Sequence, residues 1–204
     1  KGENYYFEVI EVPPTYNFDL TSPNWAVEGV TDEASFINWL ATRSREYYDN
    51  NLTNIIVTNF NFVGNRIFCN MTADGTIYDL SELGLVNADK IGVVNGLTNL
   101  HLNGNQIVTF NPSIPLPSSL TYLGLIFNQI VTFNPTIPLP SSLTALDLRF
   151  NQMTLAGYTA SEVWANAQPA FTNPCYVYFG GNIDSITGTN LEAILLTKNC
   201  VISA

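Results

Sequence analysis

The chain has 204 residues, a formal net charge of −10, and only 12% charged residues against 46% hydrophobic ones. Seven Lys and Arg residues are too few for a phosphate-tracking footprint or an anionic membrane surface, so nucleic acid and membrane partners are excluded. The polarity is carried instead by 25 Asn and 20 Thr, and aromatics reach 12%, which excludes a disordered chain and leaves a neutral-surfaced globular one.

No run of 18 apolar residues marks a membrane span, and no basic region followed by an apolar stretch marks a signal peptide. The chain starts at Lys1 rather than Met, which suggests processing or a fragment. In chain order, Glu8–Val12 reads as a strand that Pro13 and Pro14 break, and residues 1–30 are expected to be an N-terminal arm or a linker from a preceding domain. Residues 33–48 place Phe36, Trp39, Leu40 and Tyr47 on one helical face, with Thr31 or Asp32 as N-cap, so residues 31–51 are expected to form an N-terminal cap helix. From Leu97 the chain repeats almost literally: LTNLHLNGNQIVTFNPSIPLPSS, then LTYLGLIFNQIVTFNPTIPLPSS from Leu120, then LTALDLRFNQMT from Leu143, each 23 residues after the last. The same frame extends upstream to Leu52, Ile55, Val57 and Phe62, with Phe60 where Asn is expected, and to Gly75, Tyr78, Leu80 and Leu85. Downstream it fits Pro174, Val177, Phe179, Asn182 and Ile183, then Thr197, Cys200 and Ile202. About seven strands are expected. Helices are expected over 159–168, where Thr159 and Glu162 have capping-box spacing, and over 189–196.

The three clean copies resemble the leucine-rich repeat family, whose LxxLxLxxNxL pattern is matched by Leu97, Leu100, Leu102, Asn105 and Ile107. Leu120, Leu123, Leu125, Asn128 and Ile130 match in the second copy, and Leu143, Leu146, Leu148, Asn151 and Met153 in the third. The resemblance covers residues 52–204 and implies an α/β-type repeat solenoid: short parallel strands on a concave face, extended convex segments and terminal cap helices. It also implies an Asn ladder that hydrogen-bonds turn backbone. Phe110 and Phe133 fall at one repeat position and should stack. Proline at alternate places in NPSIPLPSS and NPTIPLPSS favours extended chain, with Ile114, Leu116, Ile137 and Leu139 turned inward.

By strand alternation the solvent-facing positions include Asn54, Ile56 and Thr58 of the first strand, and then Asp79, His101, Tyr122, Ile126, Asp147, Arg149, Tyr176 and Tyr178. Phe127 and Phe150 fall at strand ends, either exposed or folded back onto the core. Exposed Tyr and Arg clusters suit recognition, so these ten residues from Asp79 to Tyr178, less the first strand, form the candidate ligand-binding set. Asp79, His101 and Ser81 are the residue types of a hydrolytic triad, but no nucleophile elbow accompanies them, and no catalytic residue is assigned. Asp79 and Asp147, three strands apart, are too distant for a glycosidase pair. One His and three Cys without a CxxC give no metal site. The stretch GGNIDSITGTN has a single carboxylate, Asp184, and reads as an ordinary turn. Cys175 and Cys200, 25 residues apart against a 23-residue frame, are expected to lie diagonally, with no disulfide predicted; Cys69 and Cys200 read as core residues. Asn51 and Asn70 head glycosylation sequons.

The resemblance implies a non-enzymatic interaction module without cofactor or metal. Near-identical repeats, Asn and Thr richness and low charge resemble bacterial surface proteins and the tail or surface proteins of phages. The expected partner is a protein or glycan on a cell surface, or a neighbouring virion protein, met through the concave face in an extracellular, cell-surface or virion setting. The alternatives are a purely structural domain of a large assembly such as a virion, and an accessory binding domain of a secreted hydrolase.

Overall fold

The structure, a computed structural model, describes residues 16–44 and 49–204. Ten strands and three helices follow one another along these residues. They are β1 (Phe18–Thr21), α1 (Glu33–Thr42), β2 (Thr53–Val63), β3 (Arg66–Asp74), β4 (Ile77–Asp79), β5 (Val93–Asn95) and β6 (Asn99–His101), then β7 (Tyr122–Gly124), β8 (Ala145–Asp147), α2 (Leu155–Ala167), β9 (Cys175–Tyr178), α3 (Asn190–Thr197) and β10 (Cys200–Ser203).

The strands form two sheets. In the first, β3 pairs antiparallel with β1 and with β2, and parallel with β5. The second is six-stranded and wholly parallel, in the order β10-β9-β8-β7-β6-β4. This mixed two-sheet fold with three helices replaces the leucine-rich-repeat solenoid expected over 52–204. The overturning element is the β2–β3 hairpin. Residues 53–63 leave the 23-residue frame and pair antiparallel with Arg66–Asp74, so Asn54, Ile56 and Thr58 are no part of the parallel sheet. The cause is local. Gly64 (φ 60°) and Asn65 make a two-residue turn between Val63 and Arg66, a favoured hairpin connection. In β3, Ile67, Cys69, Met71 and Ala73 alternate inward, the period of a half-buried strand. Left-handed Asn54 and Asn59 lie at the two register irregularities of β2.

Of the segment expected to be an arm, the part from residue 16 onward is built into the body. β1 pairs with β3, and Trp25 packs edge-on against Phe36 and Trp39 of α1. The Glu8–Val12 strand expectation and Tyr47 lie outside the described residues. Helix α1 is capped by Asp32, which accepts from Ser35 N–H while the Ser35 hydroxyl accepts from the Asp32 N–H. Helix α2 begins earlier than expected, capped by Thr154, and Thr159 is interior to it. Thr189 caps α3.

Strands β4, β6, β7 and β8 align Tyr78, Leu100, Leu123 and Leu146 at one level, all fully buried. Where the strands end, Asn128 donates to the Leu102 and Leu125 carbonyls and accepts from Ile107 N–H. Asn151 and Asn182 repeat the arrangement one and two strands on. Each Asn thus satisfies backbone groups that the turn would otherwise bury unpaired. Phe110 and Phe133 stack at 6.1 Å with planes 5° apart. Leu116 and Leu139 are buried, Ile114 and Ile137 half-buried. Ile183, expected inward, is exposed, and Ile186 fills the core instead.

Candidate functional site

The open face of the parallel sheet has a filled end and an exposed end. At the first, Asp79 and His101 sit opposite one another on β4 and β6, and both are buried, at 0% and 1% exposure. The cover over Asp79 is Arg43, the residue that ends α1. Its guanidinium pairs with the Asp79 carboxylate at 2.9 Å and with Glu28 at 3.4 Å, and donates to the Asp79 and Ser81 carbonyls. The Asp79 carboxylate also accepts from Ser81 N–H, and the Ser81 hydroxyl accepts from Asn103 N–H. The Tyr122 ring lies 5.0 Å from the His101 ring. Burial pushes the His101 pKa down to about 4, with the Asp79 charge opposing. Asp79 and His101 were expected on the solvent-facing surface, and they are not there. A strand position that alternation points outward is covered here by a residue from outside the repeat. The triad residue types meet as a buried packing cluster in which the carboxylate is engaged by an arginine.

The exposed end holds the other candidates. Asp147 is also buried, as the anchor of Arg149: Nε donates to Oδ1 at 2.9 Å and Nη2 to Oδ2 at 2.7 Å. This bidentate pair raises the Arg149 pKa and fixes its guanidinium 5.4 Å from the Tyr178 ring centroid. Tyr176 and Tyr178, two apart on β9 and so on one face, stack at 6.5 Å, with Tyr176 49% exposed. Tyr122 lies over Gly124. A Cβ added there would come 2.9 Å from the Tyr122 hydroxyl, so the missing side chain is what lets the ring lie flat along its own strand. Tyr122 and Ile126 are half-buried.

Phe127 and Phe150 are exposed, at 60% and 46%, and stack at 4.5 Å with planes 10° apart. They belong to a column just beyond the strands: Glu82, Gly104, Phe127, Phe150 and Gly181. All five are left-handed, with φ between 54° and 76°. The N–H groups of the first four donate to Asn103, Ile126, Arg149 and Gly180 carbonyls in turn. Left-handed backbone costs a residue with a Cβ about 1–2 kcal/mol, and an aromatic pair returns only ~0.5–1.5 kcal/mol. The column was missed at the sequence level, although its signal is legible: the residue before each ladder Asn is Gly, Phe, Phe and Gly in successive copies. Arg43 and Glu28 were missed as well, because the contact joins segments unrelated in pattern.

Among the described residues no group of His, Cys, Asp or Glu is placed to hold a metal ion. The stretch around Asp184 is a run of turns and bends, in which the Asp184 carboxylate accepts from Leu155 N–H at the start of α2 and its carbonyl accepts from the Tyr158 hydroxyl. Cys175 and Cys200 are directly opposed rather than diagonal, because β9 and β10 pair in that register, and both are free thiols. Burial pushes the Cys69 thiol up to about 12. Asn51 accepts from the Thr76 and Ile77 N–H groups. No helix among the described residues is long and apolar enough to cross a membrane. Comparisons with models of protein families, with curated proteins and with solved structures found no match to this chain.

Proposed function

We propose that the chain is a non-enzymatic recognition module, acting outside the cell or on a virion surface, that binds a protein or glycan through the open face of its parallel sheet. The observation that carries this reading is the anchored cluster of Arg149, Tyr178 and Tyr176. A guanidinium held by a buried carboxylate, beside two stacked tyrosines, is a pre-ordered surface that loses little entropy on binding. Nothing in the core requires these rings to be outside. The filled end supports the same reading, since Asp79 and Ser81 there are engaged by Arg43.

The test is a binding screen of the intact chain against an array of oligosaccharides and a panel of extracellular proteins. Tyr122→Ala combined with Tyr178→Ala is expected to weaken any partner found by about tenfold or more without changing the circular dichroism spectrum. Undiminished binding by this variant rejects the open face as the site.

A further inference from the structure

Two buried thiols meet at the outer edge of the parallel sheet. Cys175 opens β9 and Cys200 opens β10, and the two are register partners. Neighbouring strands run about 4.8 Å apart, inside the Cα separation of about 4.4–6.8 Å that a disulfide spans. Partners in a parallel register point to the same face of the sheet. Here that face is the core: Cys175 is 0% and Cys200 6% exposed, while Tyr176 and Val201, the next pair along, are exposed. The two thiols hydrogen-bond to one another, so the sulfurs already face each other.

The pair is unsymmetrical. The Cys175 thiol is pushed up by its hydrogen bond to Cys200 and by burial; the Cys200 thiol is lowered because it accepts that bond, with burial opposing. Cys200 is therefore the sulfur that gives up its proton first. It also lies on the strand at which the sheet order ends. An edge strand opens locally at less cost than a central one, which admits a small oxidant to Cys200. The third cysteine, Cys69, stands apart on β3 in the other sheet, fully buried, with its thiol pushed up by burial to about 12.

We infer that Cys175 and Cys200 close to a disulfide in a thiol–disulfide buffer, and that the bridge staples β10 to β9. The oxidant is a small-molecule disulfide such as oxidised glutathione. The Cys200 thiolate attacks one of its sulfurs and forms a mixed disulfide, and the expelled glutathione thiolate takes up the proton that Cys200 released. The Cys175 sulfur then attacks the Cys200 sulfur and expels the second glutathione thiolate, which takes up the Cys175 proton. Two protein thiols lose two electrons, and one glutathione disulfide is reduced to two thiols. Beyond the bridge the register pairs are Val201 with Tyr176 and Ser203 with Tyr178, so the staple secures the strand bearing both rings against fraying from its open edge. The chemistry is independent of what the open face binds.

The experiment equilibrates the native, intact chain with reduced and oxidised glutathione, quenches with acid, alkylates the remaining thiols in denaturant, and maps tryptic peptides without reduction. Trypsin cuts after Arg149 and Lys198, which places the two cysteines on separate peptides, 150–198 and 199–204. The expected result is these two peptides joined, with Cys69 alone alkylated. The thermal midpoint is expected to rise by about 5–10 °C for a loop of this length and to fall back on reduction. The same oxidation in denaturing urea is expected to scatter over the three pairings that three cysteines allow, so a single product from the native chain reports selection by the fold. In Cys175→Ala a glutathione adduct is expected to persist on Cys200. Three thiols left free, a glutathione adduct on wild-type Cys200 without the joined peptides, or a crosslink through Cys69 overturns the inference. Joined peptides with no gain in thermal midpoint overturn the staple.

Discussion

Arg43 ties α1 to the strand ends of the parallel sheet. It closes α1, neutralises a fully buried carboxylate and caps the carbonyls at the end of β4. Removing one partner of a buried pair leaves the other charged and dry, which costs about 3–5 kcal/mol. Arg43→Met is expected to lose about 3 kcal/mol or more, measured as a lower urea midpoint. His101 should make stability depend on pH. Its folded pKa of about 4 lies below the ordinary 6.5, so the unfolded chain binds more protons between those values. The contribution is complete above pH 6.5 and is lost as the pH falls toward 4, up to about 3 kcal/mol. Urea titrations of wild type and His101→Gln should therefore converge across that window; parallel pH profiles would show that His101 is not held neutral.

At the scale of elements, helix α2 and the strand-to-strand segment beneath it are fitted to one another. An added Cβ at Gly157 would come 2.1 Å from the Val131 carbonyl oxygen. Alanine gains about 1 kcal/mol in a helix interior, but an overpacked backbone contact costs ~1–3 kcal/mol. The contact should win, and Gly157→Ala should lower the thermal midpoint despite its better propensity. How much was legible in the sequence follows from the same distinction between local and long-range causes. The aligned leucines, the Asn ladder and the Phe110–Phe133 stack follow from a repeated local pattern. The β2–β3 hairpin carried a local signal in Gly64-Asn65, but apolar residues at Ile55 and Val57 also suit the repeat frame, and only the antiparallel pairing decides between them. The burial of Asp79 and His101 depends on Arg43 from another element, which no spacing within the repeat reveals.

For the molecule as a whole, the parallel sheet is held together by contacts between strands in identical register, and this has an unequal-length consequence. Val108 and Phe110 occupy the places of Val131 and Phe133 one unit earlier. Phe133 N–H donates to Ser161, and its ring meets Trp164 edge-on at 4.8 Å. Deleting Leu120–Ser142 would bring β6 directly against β8 and present Phe110 to Ser161 and Trp164 in its place. The shortened chain is expected to unfold cooperatively, with a smaller urea m-value in keeping with its smaller surface change; a molten spectrum would show that the unit is not interchangeable. The Phe127–Phe150 stack would be lost with the deleted unit, while Phe150 and its Gly181 support would stay. Leu97–Ser119 and Leu120–Ser142 differ at only five aligned positions, so gain or loss of one such unit would change the width of the open face, and the number of rings along its rim, by a whole rung.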